Sequence, residues 1–77
     1  MINYNRLSEE EQIKAVYQYG YNIQRIDAPS EAVQMVAVEY DVRTIEFIKR
    51  PTEKVQLYVV EHDPYTIRFI NRPSLTV

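Results

Sequence analysis

The sequence repeats itself with a period of 22 residues, and this repetition constrains the fold more than any other feature. Pro29–Gln34 reads Pro-Ser-Glu-Ala-Val-Gln, and Pro51–Gln56 reads Pro-Thr-Glu-Lys-Val-Gln. Pro73 begins a further copy, and Leu7–Gln12 is an earlier one without the proline. Other positions agree at the same step, most clearly Ser8/Ser30/Thr52/Ser74, Gln12/Gln34/Gln56, Ile13/Met35/Leu57, Val16/Val38/Val60, Ile23/Ile45/Ile67 and Ile26/Ile48/Ile70. A fixed period of this length is typical of arrays of stacked supersecondary units.

We therefore expect one domain over residues 1–77, made of about three units. The units span about 8–29, 30–51 and 52–73, and residues 74–77 are the truncated start of another. A solenoid with an uncapped end exposes apolar surface there, so we also expect a possible homodimer through that end.

Each unit is predicted to hold two helices. Ser8, Ser30 and Thr52 are N-cap residue types, and the Glu after each favours the positive end of a helix dipole. Ser8 and a glutamate three residues later also fit a capping box. The prolines stop the preceding helices, Gly20 is expected to follow the end of the first helix, and Asp41 and Asp63 are expected to cap the second helices. The predicted helices cover about 9–18, 21–27, 31–40, 42–49, 53–62 and 64–71.

A strand interpretation competes with these helices in the last unit. Val55–Val60 and Tyr65–Ile70 are rich in β-branched and aromatic residues, and a hairpin could turn at Asp63. Helices are favoured because the cap-and-Glu pattern precedes every long segment and because hairpin glycines are missing. The sequence thus predicts an all-α fold, a short α-solenoid of about three helix-turn-helix repeats.

The repeat resembles an uncharacterised helical-repeat family of P-S-E-x-V-Q-L-x-A-V type, a domain of unknown function found in bacteriophages, giant viruses and bacteria. Residues 29–48 and 51–70 carry the resemblance, which covers about 8–77. Asp41 and Asp63 depart from it, since the family usually has Gly nearby, and Leu7 replaces a proline. The resemblance implies an α-solenoid and suggests a viral or prophage origin. We expect a non-enzymatic protein-binding module with a host or viral protein as partner, in particular a phage-encoded factor that binds and modulates a host protein. It implies no active site.

Composition narrows the possible chemistry. The chain has no cysteine and one histidine, so a thiolate nucleophile is excluded and a zinc site is improbable. Glu61 and His62 are adjacent, and adjacent helical residues do not face each other, so they form no catalytic pair. The N-terminus lacks a signal-peptide pattern, and no apolar run approaches the roughly 20 residues that span a membrane. We expect a cytoplasmic protein that is not an enzyme and needs no cofactor or metal.

Positions that vary between the units are the candidates for function, because packing does not fix them. Several of these positions hold a tyrosine or a histidine. The predicted protein-binding residues are Tyr40, Tyr58, His62, Tyr65 and Arg43. The alternative is that these tyrosines pack between units with their hydroxyls in water. The constant Gln12/Gln34/Gln56 set is interpreted as a ladder of amides that satisfies backbone groups between units.

A second candidate surface is basic and consists of Lys49, Arg50, Arg68 and Arg72. These side chains could contact phosphates, which would make the chain a nucleic-acid-binding protein. The formal charge of −2 argues against this alternative. A self-assembling structural protein is the remaining hypothesis.

Overall fold

Every regular element in the described part of the chain is a helix. The computed structural model describes residues 2–70, 73 and 74. Three α-helices, α1 (Glu9–Gln18), α2 (Glu31–Tyr40) and α3 (Glu53–His62), alternate with the 3-10 helices η1 (Tyr4–Arg6), η2 (Gly20–Arg25), η3 (Val42–Phe47) and η4 (Pro64–Phe69). The all-α prediction is confirmed, and the strand interpretation of the last unit is wrong.

The α-helices begin and end where the capping residues predict. The hydroxyl oxygens of Ser8, Ser30 and Thr52 accept hydrogen bonds from the backbone N–H three residues later, at 3.2, 3.4 and 3.3 Å respectively. Each of these bonds satisfies a donor that the first helical turn leaves unpaired. Each helix is followed by a residue with extended backbone, which is Tyr19 after α1, Asp41 after α2 and Asp63 after α3.

The second helix of each predicted unit is a 3-10 helix, and it ends two residues earlier than expected. Asp41 and Asp63 cap η3 and η4 as predicted, accepting from the backbone N–H two residues later at 3.0 and 3.1 Å. The apolar residues that anchor these segments, such as Ile45 and Ile48, are three positions apart and both buried. A helix with three residues per turn places such a pair on one face, so this spacing suits the tighter helix.

The core lies between the row of α-helices and the row of 3-10 helices. Each α-helix contacts the next one along the chain, and η2 contacts η3 as η3 contacts η4. The molecule is accordingly elongated, with extents of 36 × 19 × 17 Å. The core residues are Val16, Ile23, Ile26, Val33, Ala37, Val38, Ile45, Ile48, Val55, Val59 and Ile70.

Residues that precede α1 close one end of the structure. The Gln12 side-chain amide donates to the Tyr4 carbonyl at 2.9 Å, and the Arg25 guanidinium lies 5.9 Å from the Tyr4 ring centroid. Asn5 exchanges two hydrogen bonds with Asp27, one at 2.8 Å to its backbone and one at 3.2 Å to its side chain. At the other end, Ser74 donates its N–H to Gln56, while residues 75–77 lie outside the described part.

The predicted glutamine ladder is confirmed for Gln34 and Gln56. The Gln34 amide nitrogen donates to the Pro29 carbonyl at 3.1 Å, and its oxygen accepts from the Thr52 N–H at 3.1 Å. Gln56 makes the same two bonds one period later, to the Pro51 carbonyl at 2.9 Å and from the Ser74 N–H at 2.7 Å. Each amide therefore joins the turn before its own helix to the start of the next unit.

Replacement of Gln34 by methionine tests this connection. The variant keeps the side-chain volume but leaves the Pro29 carbonyl and the Thr52 N–H without their amide partner. We expect a loss of about 2–4 kcal/mol in the free energy of unfolding, measured by urea denaturation. Gln12→Met is the matched control and should cost about 1 kcal/mol, because among the described residues the Gln12 side chain bonds a single group, the Tyr4 carbonyl. Equal costs for the two variants would contradict the connecting role.

Glu11 completes the predicted capping box at the start of α1. Its Oε1 accepts from the Ser8 N–H at 3.0 Å, while the Ser8 hydroxyl accepts from the Glu11 N–H at 3.2 Å. The pKa of Glu11 is lowered below its ordinary value of 4.5. The main cause is the hydrogen bond from the Ser8 backbone, and the hydrogen bond with the Ser8 hydroxyl adds to it. The ionised carboxylate thus stabilises the folded chain at neutral pH, and this contribution is lost as the pH falls through the lowered pKa.

Glu11→Gln should therefore lower the melting temperature at neutral pH, and its difference from the wild type should shrink as the pH falls below 4.5. Circular dichroism melts across that range measure the difference. Glu10→Gln, in the same helical turn but outside the capping box, serves as the control. A pH-independent difference for Glu11→Gln would show that the ionised carboxylate does not act through this bond.

Candidate protein-binding surface

Four aromatic rings form a continuous chain of contacts where the first two predicted units meet. The Tyr19 ring lies 6.1 Å from the Tyr40 ring at 86° and 5.6 Å from the Tyr21 ring at 45°. The Tyr21 ring continues the contact to Phe47, at 5.6 Å and 76°. Edge-on contacts of this kind are favourable because the positive ring edge meets the negative ring face. The rings thus hold one another in place across α1, η2, α2 and η3.

Gly20 is the residue that lets Tyr40 take this position. It follows the end of α1 as predicted, but its φ lies outside the left-handed region. A Cβ on Gly20 would lie within 3.0 Å of the Cβ, Cγ and Cδ1 atoms of Tyr40. The glycine is therefore required by the close approach of a side chain and not by its backbone conformation.

Tyr21 is fixed by a hydrogen bond as well as by its ring contacts. Its hydroxyl donates to Oδ2 of Asp41 at 2.9 Å, and the other carboxylate oxygen accepts from the Arg43 N–H at 3.0 Å. The bond to Asp41 raises the pKa of Tyr21 above 10.0, and partial burial adds to the shift. The predicted site residue Arg43 keeps its Nε 3.9 Å from the same carboxylate, with most of its side chain exposed.

The outer side of this cluster is an exposed tyrosine surface, which we define as Tyr17, Tyr19 and Tyr40. Their exposed fractions are 77%, 51% and 47%. A groove of about 390 Å³ runs between α1 and α2 and is lined by Tyr17, Val36, Glu39 and Tyr40. It offers apolar ring area, phenol hydroxyls and one carboxylate within a single depression.

Sequence reasoning found Tyr40 but missed Tyr17 and Tyr19. Tyr19 falls in the position of Asp41 and Asp63, which was interpreted as a helix-capping position. Tyr17 falls in the position of Glu39 and Glu61, which was not among the candidate positions. The available signal was that both flank Gln18, the residue that aligns with Tyr40 at the 22-residue step.

The other predicted tyrosines and the histidine make separate contacts. The Tyr58 ring stacks on His62 at 4.1 Å and 27°. The His62 Nδ1 lies 2.9 Å from the Tyr58 carbonyl, which can only accept, so that nitrogen carries the hydrogen. Tyr65 is 74% exposed, and the Arg68 guanidinium lies 5.7 Å from its ring centroid. Within the described ranges no ring contact links Tyr40 to these residues, so the predicted patch consists of separate pairs.

The basic residues of the nucleic-acid hypothesis are also divided. Lys49 and Arg50 line a groove of about 320 Å³ together with Asp27, whose carboxylate opposes a phosphate ligand. Arg68 is placed on η4 beside Tyr65, and Arg72 lies outside the described residues. The predicted basic ridge of Arg50 and Arg72 is therefore not described as a unit.

Neither a metal-binding cluster nor a membrane-spanning helix is found among the described residues. Across residues 2–70, 73 and 74, no group of three or more histidine, aspartate or glutamate side chains is arranged to hold a metal ion. The helices in the same ranges are also too short and too polar to cross a membrane.

Comparisons of the chain with protein-family models, curated proteins and solved structures found no match. The resemblance to the viral and bacterial repeat family stays a prediction.

The close contact between Gly20 and Tyr40 can be tested by a double-mutant cycle. Gly20→Ala should lower the free energy of unfolding by about 1–3 kcal/mol, because the added methyl displaces the Tyr40 side chain from its rigid base. In a Tyr40→Gly background the same change should cost less than about 0.5 kcal/mol, since all three obstructing atoms of the Tyr40 side chain are gone. Additive costs in urea denaturation would show that the glycine is required for another reason.

Proposed function

We propose that this chain is a short α-solenoid of three 22-residue repeats and that it acts as a non-enzymatic protein-binding module. The observation that carries the proposal is the tyrosine surface. Tyr17 and Tyr40 line one groove, and the exposed Tyr19 ring packs against Tyr40 beside it. Tyrosine is enriched at protein interfaces because it brings large contact area and a hydroxyl at low entropic cost.

The solenoid architecture is supported by bonds that recur at the repeat period. Hydroxyl caps begin the three α-helices, and the amides of Gln34 and Gln56 each bond the preceding turn and the next unit. In a solenoid each unit contacts only its neighbours, and the surface along the row of helices is free to bind. The groove between α1 and α2 lies on such a surface.

A protein partner fits this surface better than a nucleic acid. Glu39 lines the groove, and the chain carries a net charge of −2, which opposes binding to phosphates. Aromatic rings beside a carboxylate are complementary to a segment with apolar and basic side chains. We therefore propose an extended peptide segment with a lysine or arginine as the ligand, with the cation directed to Glu39.

The absence of an enzymatic role is part of the proposal. His62 has its Nδ1 directed to the Tyr58 carbonyl and its ring stacked on Tyr58. Neither contact provides a carboxylate that could orient the imidazole, or a nucleophile that it could activate.

Affinity capture with matched tyrosine variants tests the binding surface. Tyr17→Ala combined with Tyr19→Ala should abolish capture of a partner from lysate and weaken its binding at least about tenfold in calorimetry. Tyr65→Ala removes an equally exposed ring outside the groove and should bind like the wild type. Circular dichroism should show the same helicity for all variants.

Two outcomes would move the function elsewhere. If Tyr58→Ala combined with His62→Ala abolishes capture and the Tyr17/Tyr19 variant retains it, the binding surface lies on α3. If no variant changes capture, but the chain is retained on DNA with a steep salt dependence, the nucleic-acid alternative is correct.

A further inference from the structure

The outer face of α3 carries a pattern of side chains that is complementary to itself. Lys54, Leu57, Tyr58 and Glu61 are spaced three, four and seven positions apart, so they share one face of the helix. They line a shared open groove of about 430 Å³ together with Met35 and Glu53. Lys54 and Glu61 are exposed, and neither has an ion-pair partner among the described residues.

Leu57 leaves apolar surface exposed at the middle of this face. Its exposed fraction is 37%, whereas the aligned Ile13 and Met35 are half-buried and pack against the core. The aligned Met35 lines the groove beside α3, which shows that this position faces the following helix. On α3 the same position has no such cover in the described structure.

Two antiparallel copies of α3 related by a two-fold axis would satisfy these side chains. With the axis near Leu57 and Tyr58, these two residues contact their own copies, and Lys54 of each chain faces Glu61 of the other. An isologous contact uses the same patch twice, so the opposite charges at its two ends form two ion pairs at once. We infer that the outer face of α3 is a homodimer interface, and that the occupant of the groove is a second copy of this chain.

The other two α-helices lack this complementarity. The aligned residues on α1 are Glu10 and Tyr17, and those on α2 are Ala32 and Glu39. An antiparallel copy of either helix in the same register would therefore meet no opposite charge at these two positions. The segment before α1 lies elsewhere, since Tyr4 contacts Gln12 of α1 and Arg25 of η2. The charge pattern thus favours pairing of α3 with the α3 of a second copy. A contact between two single helix faces buries little area, so the dimer should be weak and reversible.

Charge reversal gives a test that is specific to this geometry. Sedimentation equilibrium of the wild type should show the molar mass rising with concentration from 9.2 kDa toward twice that value. Lys54→Glu alone and Glu61→Lys alone each place like charges at both ends of the contact, and each should weaken the dimer by about tenfold at low salt. An equimolar mixture of the two variants restores both opposite-charge pairs, so it should form a heterodimer of nearly wild-type affinity.

Matched variants separate the interface from general effects of charge. Glu39→Lys makes the same charge change at the aligned position of α2 and should leave the dimer unaffected, whereas Leu57→Glu should abolish it. Tyr17→Ala with Tyr19→Ala should dimerise normally, which keeps this test independent of the proposed peptide-binding groove. A wild-type chain that remains at 9.2 kDa at millimolar concentration overturns the proposal. So does a mixture of the charge variants that fails to associate.

Discussion

The side-chain amide of Gln34 makes the connection on which the stacking of the predicted units depends. It donates to the Pro29 carbonyl on one side and accepts from the Thr52 N–H on the other. Proline has no backbone N–H, and the turns that contain it cannot pair their own polar groups in a helix or sheet. An amide offers both a donor and an acceptor, so one buried side chain satisfies two turns that lie a full period apart. A hydrocarbon of the same size would fill the space and leave both groups unpaired.

The first predicted unit differs from the others in the bond that its glutamine makes. Gln12 has no preceding proline turn to bond, and its amide instead reaches the Tyr4 carbonyl in η1. Glu11 occupies the position that holds the buried Val33 and Val55 in the later units. A carboxylate belongs at this position only if it faces solvent, and here it closes the capping box with Ser8. The beginning of α1 is thus built from polar bonds, whereas α2 and α3 have a buried valine at this position.

Much of the fold could be predicted from the sequence because residues close to each helix end determine where that helix begins and ends. Hydroxyl caps and prolines located all three α-helices, since those residues act within one turn of where they stand. The 3-10 geometry of η2, η3 and η4 was not predicted, because the Ile45–Ile48 spacing of three is compatible with either kind of helix. The tyrosine surface was found only in part. Tyr19 and Tyr40 meet through tertiary packing on Gly20, and a repeat alignment compares aligned positions, not positions that touch.

Departures from the repeat, more than the repeat itself, distinguish the surfaces of this molecule. Val33 and Val55 repeat at the 22-residue step, and both are buried in the core. Tyr19 stands where the later units have a capping aspartate, and its ring joins the cluster that Tyr21 links to Asp41. Lys54 stands where α2 has alanine, and it gives α3 a charge opposite to that of Glu61. Both departures lie at exposed positions, where packing in the core does not fix the residue type.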